Sequence, residues 1–246
     1  MIKRILAILL ALCILFSAVL AYADDTDDDN WYDDEFGDDE FGYDELDEDD
    51  FETETDSKDF RTIAGYDTGE KFVCGDFVYQ KTEDGEGAIL TNYSGTSDEV
   101  VIPSEVDGFP VVAIGAHMFA YNEKITSIEI PEGILTIGNM AFFKCMNLQG
   151  ITIPEGIKLI DECCFGDCQS LAEVHFPDSL EEVGRFSFLQ CLKLTEISFG
   201  DSLTTIGPGA FQLCASLSKV SIPGGDKVSI EPDSFLGCSP DLQIIN

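Results

Sequence analysis

Positive charge is scarce in this sequence. Its 246 residues include 13 Lys and Arg against 48 Asp and Glu, which gives a formal net charge of −35 at pH 7. A surface with this balance repels the phosphates of nucleic acids and the headgroups of anionic lipids. The composition therefore argues against DNA, RNA and anionic membranes as partners.

Histidine and catalytic motifs are also scarce. His117 and His175 are the two histidines of the chain, and no nucleophile motif such as G-x-S-x-G accompanies them. No D-x-[DN]-x-[DN]-G loop is present, so a calcium site of that type is not supported. We therefore predict a protein that is not an enzyme and has no catalytic residues, metal site or cofactor.

The first 23 residues have the pattern of a secretory signal peptide. Lys3 and Arg4 precede an almost continuous apolar run from Ile5 to Leu20, and Ala21-Tyr22-Ala23 forms a small-x-small cleavage site. An uncleaved anchor is the alternative, but the run is short for a membrane span of about 20 residues. The pattern predicts cleavage, no span in the mature protein, and a secreted or cell-surface location.

Residues 24–59 are predicted to be an acidic, disordered linker. They contain 21 Asp or Glu and a single basic residue, Lys58. Charge of this density and sign prevents collapse at neutral pH. Aromatic residues such as Trp31 and Phe36 lie between the acidic ones, so a second interpretation is a segment that binds divalent cations or a basic partner.

From Lys124 onward the sequence repeats every 23 residues. The repeat has a proline column, a phenylalanine column, a cysteine column and an aliphatic column. Their members are Pro131, Pro154, Pro177 and Pro223; Phe142, Phe165, Phe188 and Phe211, then Phe235; Cys145, Cys168, Cys191, Cys214 and Cys238; and Ile137, Ile160, Val183, Ile206 and Ile230. A repeat of this length with L-x-x-I-x-I inside it indicates a leucine-rich-repeat solenoid.

The pattern assigns roles within each repeat. In Leu148-x-x-Ile151-x-Ile153 the alternation places apolar residues on the inner side of a short strand and the middle residue on the outer side. A corner such as "GAFQLC" follows, which we predict to be a single helical turn. One coil cannot enclose a benzyl ring, whereas stacked coils can, so the phenylalanine column is predicted to be interior.

The pattern IPEGIxxIxxxxFxxCxxLxxIxIP resembles the BspA-type leucine-rich repeat of surface proteins. The resemblance covers about residues 99–246, and residues 77–115 resemble the strand-rich lead-in of that family. It implies an N-terminal cap at 60–98, repeats of about 23 residues at 99–246, and an α/β, right-handed solenoid with short parallel strands and single-turn helices. It also implies export, protein or matrix binding, and no catalytic residues.

The cysteines admit two interpretations. Signal cleavage leaves eight, an even number that is consistent with disulfides in an exported protein. Five of them share one repeat slot, where cysteine acts as a small buried residue, so free buried thiols are favoured. A metal site at Cys163, Cys164 and Cys168 is the less favoured interpretation, since Cys164 occupies a slot filled elsewhere by Ala or Ser.

The outward residues of the strands are the candidate binding face. In a horseshoe-shaped solenoid such positions line the concave side, where these folds bind partners. The candidate residues are Ser127, Glu129, Thr152, Glu173, His175, Glu196, Ser198, Lys219 and Ser221. We predict a non-catalytic, exported binding or adhesion module that recognises a protein or extracellular matrix ligand. The alternatives are a merely solvated face, or binding by the acidic segment with the repeats as a scaffold.

Overall fold

Residues 69–245 are the part of the chain that this computed structural model describes, and they fall within one compact unit. The predicted signal peptide (1–23) and acidic linker (24–59) lie outside the described residues, as do residues 60–68 of the predicted cap. Within the described range, no helix has the length and hydropathy needed to cross a bilayer.

An antiparallel sheet opens the described part of the chain. It consists of β1 (Phe72–Cys74), β2 (Phe77–Lys81) and β3 (Ala88–Tyr93). β3 pairs in parallel with β6 (Phe109–Ile114) on its other side. The chain therefore passes at β3 from hairpin pairing to the stacking of coils.

Each coil contributes one short strand to a first strand row. The row contains β4 (Glu99–Val101), β7 (Ser127–Glu129), β9 (Gly150–Thr152), β11 (Glu173–His175), β13 (Glu196–Ser198), β15 (Lys219–Ser221) and β17 (Gln243–Ile245). All of its pairings are parallel, within one block of β4-β7-β9-β11 and another of β13-β15-β17. In β7, β9, β11, β13 and β15 the central residue is apolar and buried, and the residues on either side of it point outward. This matches the predicted alternation, in which Ile151 of Leu148-x-x-Ile151-x-Ile153 is inward and Thr152 is outward.

A second strand row forms another side of the solenoid. Its strands are β8 (Thr136–Ile137), β10 (Leu159–Ile160), β12 (Glu182–Val183), β14 (Thr205–Ile206) and β16 (Ser229–Ile230). β10, β12, β14 and β16 pair in parallel in that order, and β8 pairs in parallel with β6. The aliphatic column points inward here, because Ile137, Ile160, Val183 and Ile206 are at most 1% exposed. Ile230, in the last of these strands, is 42% exposed.

The irregular first repeat contains a hairpin. β5 (Glu105–Val106) pairs antiparallel with the start of β6 around Asp107 and Gly108, whose φ angles are 49° and 86°. Two central residues with positive φ are the mark of a tight type I′ turn. The Tyr79 hydroxyl donates to Asp107 Oδ2 at 2.8 Å, so the tip of the hairpin is tied to β2.

The corners between the two rows are stacked turns. In the corner of residues 138–145, alternate N–H groups bond within the coil, for example Phe143 N–H to the Met140 carbonyl. The N–H groups between them, such as that of Phe142, donate to the next coil, here to the Cys164 carbonyl. Met140 and Lys144 have φ angles of 53° and 58°. The same two left-handed positions recur in the other corners.

The predicted single-turn helices and the α/β class are therefore corrected to an all-β solenoid. A helical turn would direct its N–H groups along its own axis, whereas these corners donate every second one to a neighbouring coil. The described residues contain one helical element, the three-residue 3₁₀ helix Gly225–Lys227. The predicted right-handed winding and the domain boundaries stay predictions.

The phenylalanine column is interior, as predicted. Phe142, Phe165, Phe188 and Phe211 have no exposed surface, and neighbouring rings stack with centroids 5.0–5.2 Å apart. Phe119 of the preceding coil stacks on Phe142 at 5.3 Å. Phe235 continues the stack at one end, and Tyr93 of β3 contacts Phe119 at the other. A single file of aromatic rings thus joins the antiparallel sheet to the last coil.

Removing one ring from the middle of this file tests its contribution. We expect Phe165→Ala to lower the free energy of unfolding by about 3–5 kcal/mol, because it leaves a cavity between two rings that cannot close up. Leu192→Ala is the control, since Leu192 is 39% exposed and should cost less than about 1 kcal/mol. Urea unfolding followed by circular dichroism measures both, and equal losses would contradict an interior column.

The left-handed corner positions predict a stabilising substitution. His117 is exposed with a φ of 58°, a conformation that costs a non-glycine residue about 1–2 kcal/mol. Glycine removes this cost but adds unfolded-state entropy, so we expect His117→Gly to stabilise the fold by about 0.5–1 kcal/mol. The exposed Lys193 has no positive φ, so Lys193→Gly should destabilise. Thermal unfolding compares the two, and a loss in both would disprove the explanation.

Candidate binding face

The first strand row brings the nine predicted residues onto one surface. Parallel in-register pairing places Glu173 opposite Gly150 and Glu196 opposite Lys219, so residues from equivalent repeat positions form columns. Eight of the nine are exposed and Ser221 is half-buried. The residues between them, such as Ile151 and Val220, are buried, which fixes the outward direction of their neighbours.

One ion pair and one contact between a histidine and a carboxylate lie on this face. Lys219 Nζ is 3.4 Å from Glu196 Oε2, and His175 Nε2 is 3.5 Å from Glu173 Oε1. All four side chains are more than half exposed, so water and salt screen the pairs and they add little to stability. Their carboxylates therefore stay available to a ligand.

A hollow of about 590 Å³ lies over β11, β13, β15 and the end of β17. It collects six of the nine predicted residues, namely Glu173, His175, Glu196, Ser198, Lys219 and Ser221. Ser127, Glu129 and Thr152 lie on the neighbouring strands and do not line it. The structure thus divides the predicted residues into six that line the hollow and three that lie outside it.

Asp178, Gly200 and Ile245 also line the hollow and were not predicted from the sequence. Gly200 stands where most repeats carry proline. A Cβ atom at this position would lie 2.9 Å from Asp178 Cα, so glycine allows the two coils to approach closely. The departure from the proline column was the sequence signal for this end of the hollow.

Buried thiols form a second ordered array. Each cysteine of the column donates its S–H to the carbonyl of a phenylalanine in the preceding coil, at 3.1–3.3 Å, as in Cys145 to Phe119 and Cys168 to Phe142. All eight cysteines in residues 69–245 are free. Each of these carbonyls also accepts a backbone N–H from its own coil, as that of Phe142 does from Cys145, so the thiol adds a second bond, made between coils. A small side chain with an S–H donor suits this slot.

Burial makes four thiols of this column hard to ionise. Removal from water raises the pKa of Cys145 from 9.0 to about 12, and that of Cys238 likewise to about 12. The pKa values of Cys168 and Cys191 are also raised well above 9.0, mainly by burial. Because the thiolate is the nucleophile and metal ligand, the column is suited to packing. No group of three or more His, Cys, Asp or Glu in the described part is placed to hold a metal ion.

Comparison with known proteins identifies the repeat. A family model described as "BspA type Leucine rich repeat region" matches six copies over residues 112–241. No curated protein matches the chain significantly. The sequence resemblance is thus confirmed by an independent family model.

Solved structures of bacterial proteins share the fold. A leucine-rich repeat protein of T. pallidum is 30% identical with a TM-score of 0.62, covering 71% of this chain and 91% of that chain. A leucine-rich cell surface protein of Faecalibacterium prausnitzii A2-165 is 27% identical with a TM-score of 0.64, and the match covers 73% of this chain and 51% of that chain. A leucine-rich repeat protein of Bacteroides ovatus is 28% identical with a TM-score of 0.59, and the match covers 71% of this chain and 52% of that chain. The chain spans about half the length of the latter two.

The raised thiol pKa values predict a loss of stability at alkaline pH. A thiol whose pKa rises on folding favours the fold below its unfolded pKa of 9.0, and this preference is lost as the pH approaches the folded value of about 12. From about pH 8 to pH 10, each such thiol should lower the free energy of unfolding by about 1.4 kcal/mol.

Urea unfolding at the two pH values isolates one thiol. From pH 8 to pH 10, the free energy of unfolding of Cys145→Ala should fall by about 1.4 kcal/mol less than that of the wild type, whatever the starting stability of the variant. Ser187→Ala, a buried substitution without a titrating group, should lose as much as the wild type. A Cys145→Ala protein with the wild-type pH slope would contradict the assignment.

Proposed function

The chain belongs to the BspA-type leucine-rich repeat family, and from that premise we propose that it is an exported, non-catalytic module that binds a protein or extracellular matrix partner through the outward face of its first strand row. The observation that carries the proposal is the alignment of exposed polar side chains on five parallel strands. The strands are held in register by the core beneath them. Such a surface is rigid, so its ordering on binding costs little entropy.

The composition of the face favours a polar partner. Its nine residues include no Trp, Tyr or Phe, and such side chains are the usual anchors of a tight protein interface. The hydroxyl, carboxylate and ammonium groups offer directional hydrogen bonds instead. Binding by a single copy is therefore of modest affinity, and adhesion would depend on many copies acting together.

The acidic segment supports a second candidate function. Residues 24–59 contain 21 carboxylates, which attract divalent cations or a basic protein over a range set by the ionic strength. In this alternative the repeats serve as a scaffold. Secretion or display at the cell surface is common to both proposals and rests on the N-terminal pattern and the family.

A capture experiment with the full chain separates the two candidates. Immobilised wild-type protein is compared with the double variant Thr152→Arg and Ser198→Arg, which adds bulk and positive charge to the face. The matched control is Ala215→Arg, an exposed residue outside the face. We expect the amount of partner captured by the face variant to be at least about tenfold lower than that captured by the wild type. The amount captured by the control should fall by less than about twofold.

A variant lacking residues 24–59 completes the test. If the face binds the partner, this variant keeps its capture. If capture is lost with the acidic segment and kept by the face variant, the scaffold function replaces the binding-face function. Circular dichroism of each variant confirms that the repeats remain folded.

A further inference from the structure

The hollow lies over an interruption in the first strand row. β11 pairs with β9 and β13 pairs with β15, but in residues 69–245 no ladder joins β11 to β13. The N–H groups of Gln149, Ala172 and Ser218 each donate to the preceding coil at 2.9–3.0 Å. The equivalent N–H of Thr195 makes no such bond within the described structure. Among the described residues, the missing bond leaves the Thr195 N–H without an acceptor and the Ala172 carbonyl of the preceding coil without a donor. Because backbone groups are almost always satisfied, the N–H is left to water, and the carbonyl to water or to a donor of a bound partner.

A pair of phenylalanine rings lies at the interruption between β11 and β13. The coils of β11 and β13 carry Phe176 and Phe199 in a slot that holds isoleucine in other repeats, such as Ile153 and Ile222. The two rings stack with centroids 4.7 Å apart. Both line the hollow, and Phe176 is only half-buried. The hollow therefore has an aromatic floor beneath a polar rim.

The charges of the rim favour a cation. Glu173, Asp178 and Glu196 contribute three carboxylates and Lys219 a single ammonium, so negative charge is in excess. A planar guanidinium matches this combination better than an ammonium does. It can bond a carboxylate with two parallel N–H groups, stack on a phenyl ring, and still donate to backbone carbonyls. The carboxylates would repel an anionic group. A purely apolar group would displace the water around them without replacing its hydrogen bonds.

We propose that the hollow over β11 and β13 receives an arginine side chain presented by a segment of a partner polypeptide. The inference rests on the proposed function, since it names the chemistry that the binding face recognises. The guanidinium bonds the Glu173 and Glu196 carboxylates, and its plane lies over Phe176. Glu196 shares its charge with Lys219, which sets a limit on affinity and makes the binding sensitive to salt.

Peptide titration of the full chain tests this chemistry without the natural partner. The probe is acetyl-Gly-Gly-Arg-Gly-Gly amide, and its control is the same peptide with citrulline, which keeps the shape but not the charge. Amide NMR signals report binding. We expect the arginine peptide to shift the signals of Glu173, Thr195 and Glu196, and the citrulline peptide to bind at least about threefold more weakly.

Two matched variants locate the site. Glu173→Gln removes one rim carboxylate and should weaken the arginine peptide about three- to tenfold. Glu132→Gln makes the same charge change at an exposed residue outside the hollow and should weaken it less than about 1.5-fold. Equal effects of the two variants, or equal binding of the two peptides, would overturn the proposal in favour of general attraction to an acidic protein.

The failure of this inference can be told apart from failure of the proposed function. If the face variant Thr152→Arg and Ser198→Arg loses capture while the arginine peptide shows no preference for the hollow, the face binds a partner of different chemistry. If capture does not depend on the face at all, the proposed function fails and the inferred partner class with it.

Discussion

The mutual dependence of neighbouring coils determines the structure. A 23-residue coil has two strand segments and a corner, and none of them can satisfy its backbone or shield its apolar side chains alone. The coil above and the coil below supply the missing hydrogen bonds, both along the strand rows and through alternate N–H groups at the corners. Repetition of the sequence follows from this, because each coil must offer the same surface that it requires.

The corner shows how this dependence selects residues. To direct alternate N–H groups toward a neighbour, the backbone must enter the left-handed region twice per corner, and the chain does so with residues as bulky as Met140 and Phe186. The cysteine thiol of each corner donates to a carbonyl in the corner of the preceding coil, and the phenylalanine ring fills the space inside the coil. Local strain is offset by bonds and contacts that exist only between coils. This is why a corner that resembles a helical turn in sequence is a set of stacked turns.

The proposed binding face follows from the same stacking. The core fixes which side chains point outward, and the parallel register fixes their spacing, but neither determines their chemistry. Where the regularity is relaxed, at the unpaired strands β11 and β13 and at Gly200, the surface acquires a hollow with its own shape. Departures from the repeat are thus the places where a shared scaffold becomes specific to one protein.

The sequence by itself determined the solenoid, the inward columns of phenylalanine, cysteine and aliphatic residues, and the outward set of candidate residues. It did so because repeat period and strand alternation are properties of the chain that any stacked arrangement must respect. Only the tertiary structure decided the conformation of the corners, the position of the hairpin at Asp107, and which of the predicted residues line the hollow. The corners and the hollow depend on bonds between residues about 23 positions apart, and the local hairpin at Asp107 is tied to β2 by the Tyr79 hydroxyl, 28 positions away. The spacing of residues within a single repeat contains no information about whether such long-range bonds form.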